Sequence, residues 1–208
     1  MRSQAMKAEP MPVTAGSVAP APAARRLPPW VAWTIGVACI VAAWVVALVT
    51  PGEEQAQAPF EVPAVIGEPA TGRNLVVTVT DIRRASEVSA SGWRAEGNWL
   101  VVDLDAEAVL AESGAWLTHT EFEVDGTRFS ASDRPDSLAE GGALAIGIPI
   151  EGSLAFELPD GLDSGVGRIE LALNSDPALD SMIVLTFDLG EVPTVEQTEL
   201  LTTGWANP

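Results

Sequence analysis

The sequence predicts an all-β domain, an antiparallel sandwich, preceded by a single transmembrane α-helix. Three observations carry this. The 20-residue run Trp30–Val49 holds no charge. Short apolar alternations of period two recur between Leu75 and Leu189, separated by turn residues. No long amphipathic helical pattern lies between them, which disfavours a parallel α/β layout.

At about 1.5 Å per residue, the 20-residue run spans roughly 30 Å, the thickness of a bilayer's hydrocarbon core. Only Thr34, Cys39 and small residues interrupt it. Trp30 and Trp33 at its start and Trp44 near its end take positions where amphipathic rings favour the membrane interfaces. Pro28 and Pro29 precede it, where missing N–H donors cost a helix least, and Pro51-Gly52 closes it.

Charge divides sharply across this span. Arg2, Lys7, Arg25 and Arg26 against Glu9 give the head +3, while seven arginines against 28 acids give the remainder −21, making the chain's −18. Arg25 and Arg26, next to the span, mark the head as cytoplasmic by the positive-inside rule. The expected location is therefore the cell membrane, single-pass, with the C-terminal body outside. A cleaved signal peptide is the rival reading, because Ala56-Gln57-Ala58 mimics a cleavage site. The apolar run exceeds the usual length of roughly 7–15 residues, and Pro59 would occupy the first mature position, so the segment reads as an uncleaved anchor.

Residues 1–29 are rich in Ala, Pro and Ser and have little to bury, which predicts a disordered head. The span takes residues 30–50. Residues 51–72, rich in Pro and Glu, read as a short tether. Residues 73–190 form the sandwich, enough chain for one core. Leu75, Val77 and Val79 alternate in the first strand. Arg83 to Gly97 reads as a polar connection to a second strand in which Leu100, Val102 and Leu104 share a face and Trp99 falls on the less buried one.

EFEVDGTRFSA at 121–131 predicts a hairpin, with Asp125-Gly126 as its turn and Phe122, Val124 and Phe129 on one face. Residues 131–142 read as loop. ALAIGIPIEGSLAFELP at 143–159 predicts two short strands around Glu151-Gly152, and Pro149 marks an edge or a bulge. RIELAL at 168–173 and MIVLTFDL at 182–189 supply the last two strands. Residues 191–208 read as a mostly flexible tail, in which Trp205 either packs back or stays free.

GNWLVVDLD at 97–105, EFEVDGTRF at 121–129 and SLAFELPDGL at 153–162 together resemble the DUF4352 type of exported domain found in bacterial envelope proteins. Phe129 takes that family's hairpin aromatic position, and Phe156 and Pro159 its late strand and the strand's end; the chain lacks the tyrosine found in many such sequences. The resemblance implies an immunoglobulin-like or telokin-like sandwich behind a membrane anchor, with no catalytic residues to carry over.

Chemistry is sparse. The single cysteine, Cys39, lies in the apolar span, so the body folds without an intrachain disulfide. His119 is the single histidine, with no nucleophile elbow for a hydrolase and no second histidine for a common zinc motif. Its expected role is an ordinary exposed or hydrogen-bonded side chain, and no cofactor or metal ligand is assigned. Asp133, Asp136 and Glu140 in one loop and Asp160 and Asp163 in another raise a calcium alternative, but neither loop follows the EF-hand pattern. The acidic balance and the lack of a basic groove after Arg26 exclude nucleic acid as a partner.

Three tryptophans are candidates for contact with a protein partner: Trp93, Trp116 and Trp205. The expected partners are the lipid bilayer and a membrane or envelope protein. The functional expectation is contact rather than catalysis, with ligand or calcium sensing as the alternative and an envelope hydrolase as a distant third.

Overall fold

The structure, a computed structural model, describes residues 28–50, 57–110, 115–139 and 142–206. Arg25, Arg26 and Glu140 lie outside them. The chain divides into two units, Met1–Thr50 and Pro51–Pro208. In the first, α1 (Pro29–Val49) runs unbroken for 21 residues with proline in its first turn, and the Thr50 N–H closes it onto the Val46 carbonyl at 2.9 Å. None of its residues is buried, and Trp30, Trp33 and Trp44 project freely. Among the described residues it is the single helix long and apolar enough to cross a membrane.

The second unit consists of β1 (Phe60–Pro63), β2 (Pro69–Thr71), β3 (Leu75–Ala90), β4 (Trp93–Ala108), β5 (His119–Val124), β6 (Thr127–Ser130), β7 (Ile150–Leu158), β8 (Val166–Ala172), β9 (Ser181–Asp188), β10 (Thr194–Val195), β11 (Thr198–Glu199) and β12 (Gly204–Trp205). A five-stranded sheet has the order β1-β9-β8-β5-β6. A seven-stranded sheet runs β10-β3-β4-β7-β12, with β2 and β11 also paired to β3. The central pairings are antiparallel, as expected of a sandwich, while β1 on β9 and β10 and β11 on β3 run parallel.

The sheets pack face to face on one core. Phe122 sits in it fully buried, with ring centroids of Phe129, Phe156 and Phe187 between 5.9 and 6.1 Å away. Full burial of a ring such as Phe122 or Phe156 contributes roughly 1.5–3 kcal/mol. The Asp125-Gly126 turn between β5 and β6 has φ of 50° and 75°, the left-handed pair that a tight hairpin needs. Space around Gly167 is equally exacting: a Cβ there would come within 2.8 Å of the Phe122 ring.

Several expectations are corrected. The stretch Arg83–Gly97 is no connection: β3 and β4 are two 16-residue strands joined through Ser91 and Gly92, both at positive φ. Register shifts between Val79 and Asp81 and between Ala85 and Glu87 flip the side-chain parity twice, which hides a continuous strand from period-two reading. Likewise 143–159 holds one long strand, β7, rather than two around Glu151-Gly152.

The boundaries also move outward. The 51–72 segment contributes β1 and β2, because backbone groups from Phe60 to Ala64 pair with β9 and its approach. The 191–208 segment contributes β10, β11 and β12, which lie against β3 and β7. Its Leu200 is buried with Ala85, Val88, Ala90, Trp99, Val101 and Ala155 on the outer face of the seven-stranded sheet. Trp99, expected on the less buried face, is therefore fully enclosed.

Candidate functional site

The outer face of the five-stranded sheet is where polar chemistry collects. Along β5, Phe122 and Val124 point into the core, so His119, Glu121 and Glu123 point outward. Register places Glu121 opposite Glu170 and Glu123 opposite Arg168 on β8, and Glu123 opposite Arg128 on β6. Glu61 of β1 aligns with Met182 of β9 at the other side of the cluster.

Two guanidiniums stitch four carboxylates. Arg168 donates from Nε to Glu170 Oε1 at 2.6 Å and from its terminal nitrogens to both Glu61 oxygens at 2.9 and 3.2 Å. Arg128 donates from Nε to Glu123 at 2.9 Å and from a terminal nitrogen to Glu121 at 3.0 Å, and that same nitrogen stands 3.6 Å from Glu170 Oε2. The Arg168 hydrogen bond holds the Glu61 carboxyl below its ordinary value, against an opposing contribution from burial. The pKa of Arg168 is raised in turn, first by that same hydrogen bond to Glu61.

His119 completes the group and is 7 % exposed. Its Nδ1 lies 3.4 Å from the Ser175 carbonyl oxygen, and its Nε2 stands 3.5 Å from Glu170 Oε2 but makes no hydrogen bond. The loop 174–180 and residues Gln57–Pro59 rim a cavity of about 400 Å³ over these groups, and Leu179 N bonding Gln57 O at 3.1 Å ties the two rims together. Among the described residues, His119, Glu121 and Glu170 bring their donor atoms within 4.8 Å of one another. The loop acids Asp133, Asp136, Asp160 and Asp163 are not part of that group; Asp136 accepts instead from Ser91 Oγ at 3.3 Å. His119 faces a carboxylate and a backbone carbonyl, rather than a hydroxyl nucleophile.

The sequence pattern missed this cluster. Charges at alternate positions of RIE and EFE mark an outward polar face, but nothing local says that these strands pair. The loop after β8 folds over His119, which is buried and touches the Ser175 carbonyl rather than standing exposed.

The tryptophans separate into two groups. Trp93 starts β4, packs edge-on against Trp99 with centroids 6.0 Å apart, and lies under the Arg134 guanidinium at 5.8 Å. Trp116 and Trp205 sit at the opposite end of that strand. Leu144 N bonds Ala115 O, Ala108 N bonds Ala145 O, and Ala206 N bonds Pro149 O, drawing segments 108–110, 115–116, 144–150 and 204–206 together. Leu110, Trp116, Ile146, Ile148 and Trp205 emerge there, each between 44 % and 65 % exposed.

No family model and no curated protein matches the chain. Among solved structures it is similar to an uncharacterised β-sandwich protein of Clostridium difficile 630, at 13 % identity and a TM-score of 0.42, covering 66 % of this chain and 99 % of that one.

Proposed function

We propose that this is a membrane-tethered, non-enzymatic envelope domain that binds a protein partner through the apolar end of its sandwich. The observation that carries the reading is the convergence of Leu110, Trp116, Ile146, Ile148 and Trp205, large apolar side chains left in solvent at one end. The helix Pro29–Val49 supplies the tether, and Arg25 and Arg26 support a cytoplasmic head with the sandwich outside. The motifs at 97–105, 121–129 and 153–162 support an immunoglobulin-like, DUF4352-type assignment.

The occupant of the apolar end is a protein rather than the bilayer surface. Residues after the span carry −21, which anionic headgroups repel and a basic-rimmed protein surface attracts. A photo-crosslinking residue at Ile148, in the full chain in its native membrane, should give one discrete protein adduct. The same probe at Thr127, on the β5–β6 turn, should give none. Trp116→Asp combined with Trp205→Asp should abolish the adduct. Equal yields from both positions, or adducts to lipid alone, would overturn the reading. Protease digestion of the body in whole spheroplasts tests the orientation, and protection there would reverse it.

A further inference from the structure

We propose that His119, Glu121 and Glu170 form a binding site for a divalent transition-metal ion of the Zn²⁺ class, distinct from the apolar end. A carbonyl oxygen only accepts, so the contact between His119 Nδ1 and Ser175 O at 3.4 Å places the proton on Nδ1. When the ring is neutral, Nε2 then presents its lone pair to Glu170 Oε2 at 3.5 Å. Two acceptors then face each other at the wall of the cavity, and Nε2 has no hydrogen-bond partner. An electropositive centre between them, a second ring proton or a metal ion, resolves the conflict. An Nδ1–H to backbone carbonyl contact is also the usual way a protein aims Nε2 at a metal.

Geometry and charge agree. Bonds of roughly 2.0–2.1 Å at a tetrahedral centre put neighbouring ligand atoms roughly 3.4 Å apart, close to the His119–Glu170 separation. Glu121 offers a third oxygen within 4.8 Å of both, near enough to close by a change of side-chain rotamer. Glu61, Glu121, Glu123 and Glu170 against Arg128 and Arg168 leave two uncompensated negative charges, the complement of one divalent ion. One imidazole with two carboxylates suits Zn²⁺ or Mn²⁺ better than Ca²⁺, which prefers six or more oxygens. His119 and Glu170 line the 400 Å³ cavity, which gives an ion a path of entry.

Arg128 is the competitor. Its guanidinium approaches both Glu121 and Glu170, yet its side chain is more than half exposed and Glu123 gives it an alternative anchor at 2.9 Å. Metal entry displaces it towards Glu123. Removing the arginine should therefore tighten binding, an outcome that a purely structural ion-pair network does not produce.

The test uses the full chain in detergent, stripped with chelator and titrated calorimetrically with Zn²⁺, Mn²⁺ and Ca²⁺. One Zn²⁺ per chain is expected, weakened at least about tenfold by His119→Gln and by Glu170→Gln, unaffected by Asp136→Asn, and tightened by Arg128→Gln. Co²⁺ substitution of the unmodified chain should give the intense visible absorption of a tetrahedral site, a readout independent of whether variants fold. Absence of that band, no Zn²⁺ uptake, or uptake unchanged in His119→Gln would overturn the proposal. Ca²⁺ binding as tight as Zn²⁺ and insensitive to His119→Gln would assign the affinity to the acidic surface at large.

Discussion

Asp103 and Glu170 are both carboxylates buried on an outer sheet face, and the two faces treat them differently. Asp103 has both oxygens engaged: Arg83 donates to Oδ2 at 2.5 Å, and Ser153 Oγ donates to Oδ1 at 2.5 Å. Ser153 in turn accepts from Leu201 N at 2.8 Å, and Arg83 Nε donates to Thr198 Oγ1 at 2.7 Å, so the tail segment seals this network. Glu170 has one oxygen engaged by Arg168, while the other faces His119 and Arg128 beyond 3.4 Å beside an open cavity. A buried carboxylate with both oxygens engaged fixes structure, whereas one with an oxygen left without a hydrogen bond next to a cavity keeps an acceptor in reserve.

The largest expected effect breaks the closed face. Asp103→Ala removes the acceptor of the Ser153 hydroxyl and leaves the half-buried Arg83 only the exposed Asp81 carboxylate for its charge, and should cost about 3 kcal/mol in urea unfolding of the full chain. Next comes Leu200→Ala, which opens the apolar strip over Trp99 and should cost about 2–3 kcal/mol by the same measurement. On the open face, Glu170→Gln in metal-free protein should cost about 1 kcal/mol, because Arg168 keeps Glu61 and Arg128 keeps Glu121 and Glu123. A loss equal to that of Asp103→Ala would erase the distinction between the faces.

Two smaller effects appear as pH dependence. Glu61 is held low in the folded state, so its stabilisation is present above the ordinary glutamate pKa and lost as pH falls through the lowered one. Glu61→Gln should accordingly lower the melting temperature slightly at pH 7, and the gap should close on acidification. Asp105 has the opposite sign. Burial, then the charge of Glu151 directly opposite on β7, raises its pKa, so the folded state loses stability as pH rises through the ordinary aspartate range. Asp105→Asn should raise the melting temperature modestly at pH 7 and leave it unchanged at pH 3, followed by calorimetry.

Much of the architecture was legible in the residues. The uncharged run 30–49 spells the helix, Asp125-Gly126 spells the β5–β6 turn, and Phe122, Phe156 and Leu104 lie where alternation puts them, in the core. The long β3–β4 hairpin was hidden because two bulges shift parity, and a period-two reading has no memory across a bulge. Trp99 was misplaced for a different reason. Alternation assumes that one face of a strand meets water, but WLVV at 99–102 is apolar on both faces, which is the signal of a strand covered twice. The cover is a segment one hundred residues later whose own composition, threonine and glutamate, reads as solvent-loving. The candidate metal site was illegible for the same nonlocal reason, because Glu121 and Glu170 are brought together only by the pairing of β5 with β8.

The seal made by residues 194–205 has a consequence in time. Arg83 and Thr198, which bond in the finished fold, are 115 positions apart in the chain. Synthesis delivers Trp99, Val101 and Ala155 first and Leu200 last, and at about 5–20 residues per second this interval lasts roughly 5–20 s. Throughout it the outer strip of the seven-stranded sheet has no lid, and a nascent chain emerging in order from its anchor shows that strip to whatever waits beside the exit. Closure of that strip waits on the tail that carries Leu200.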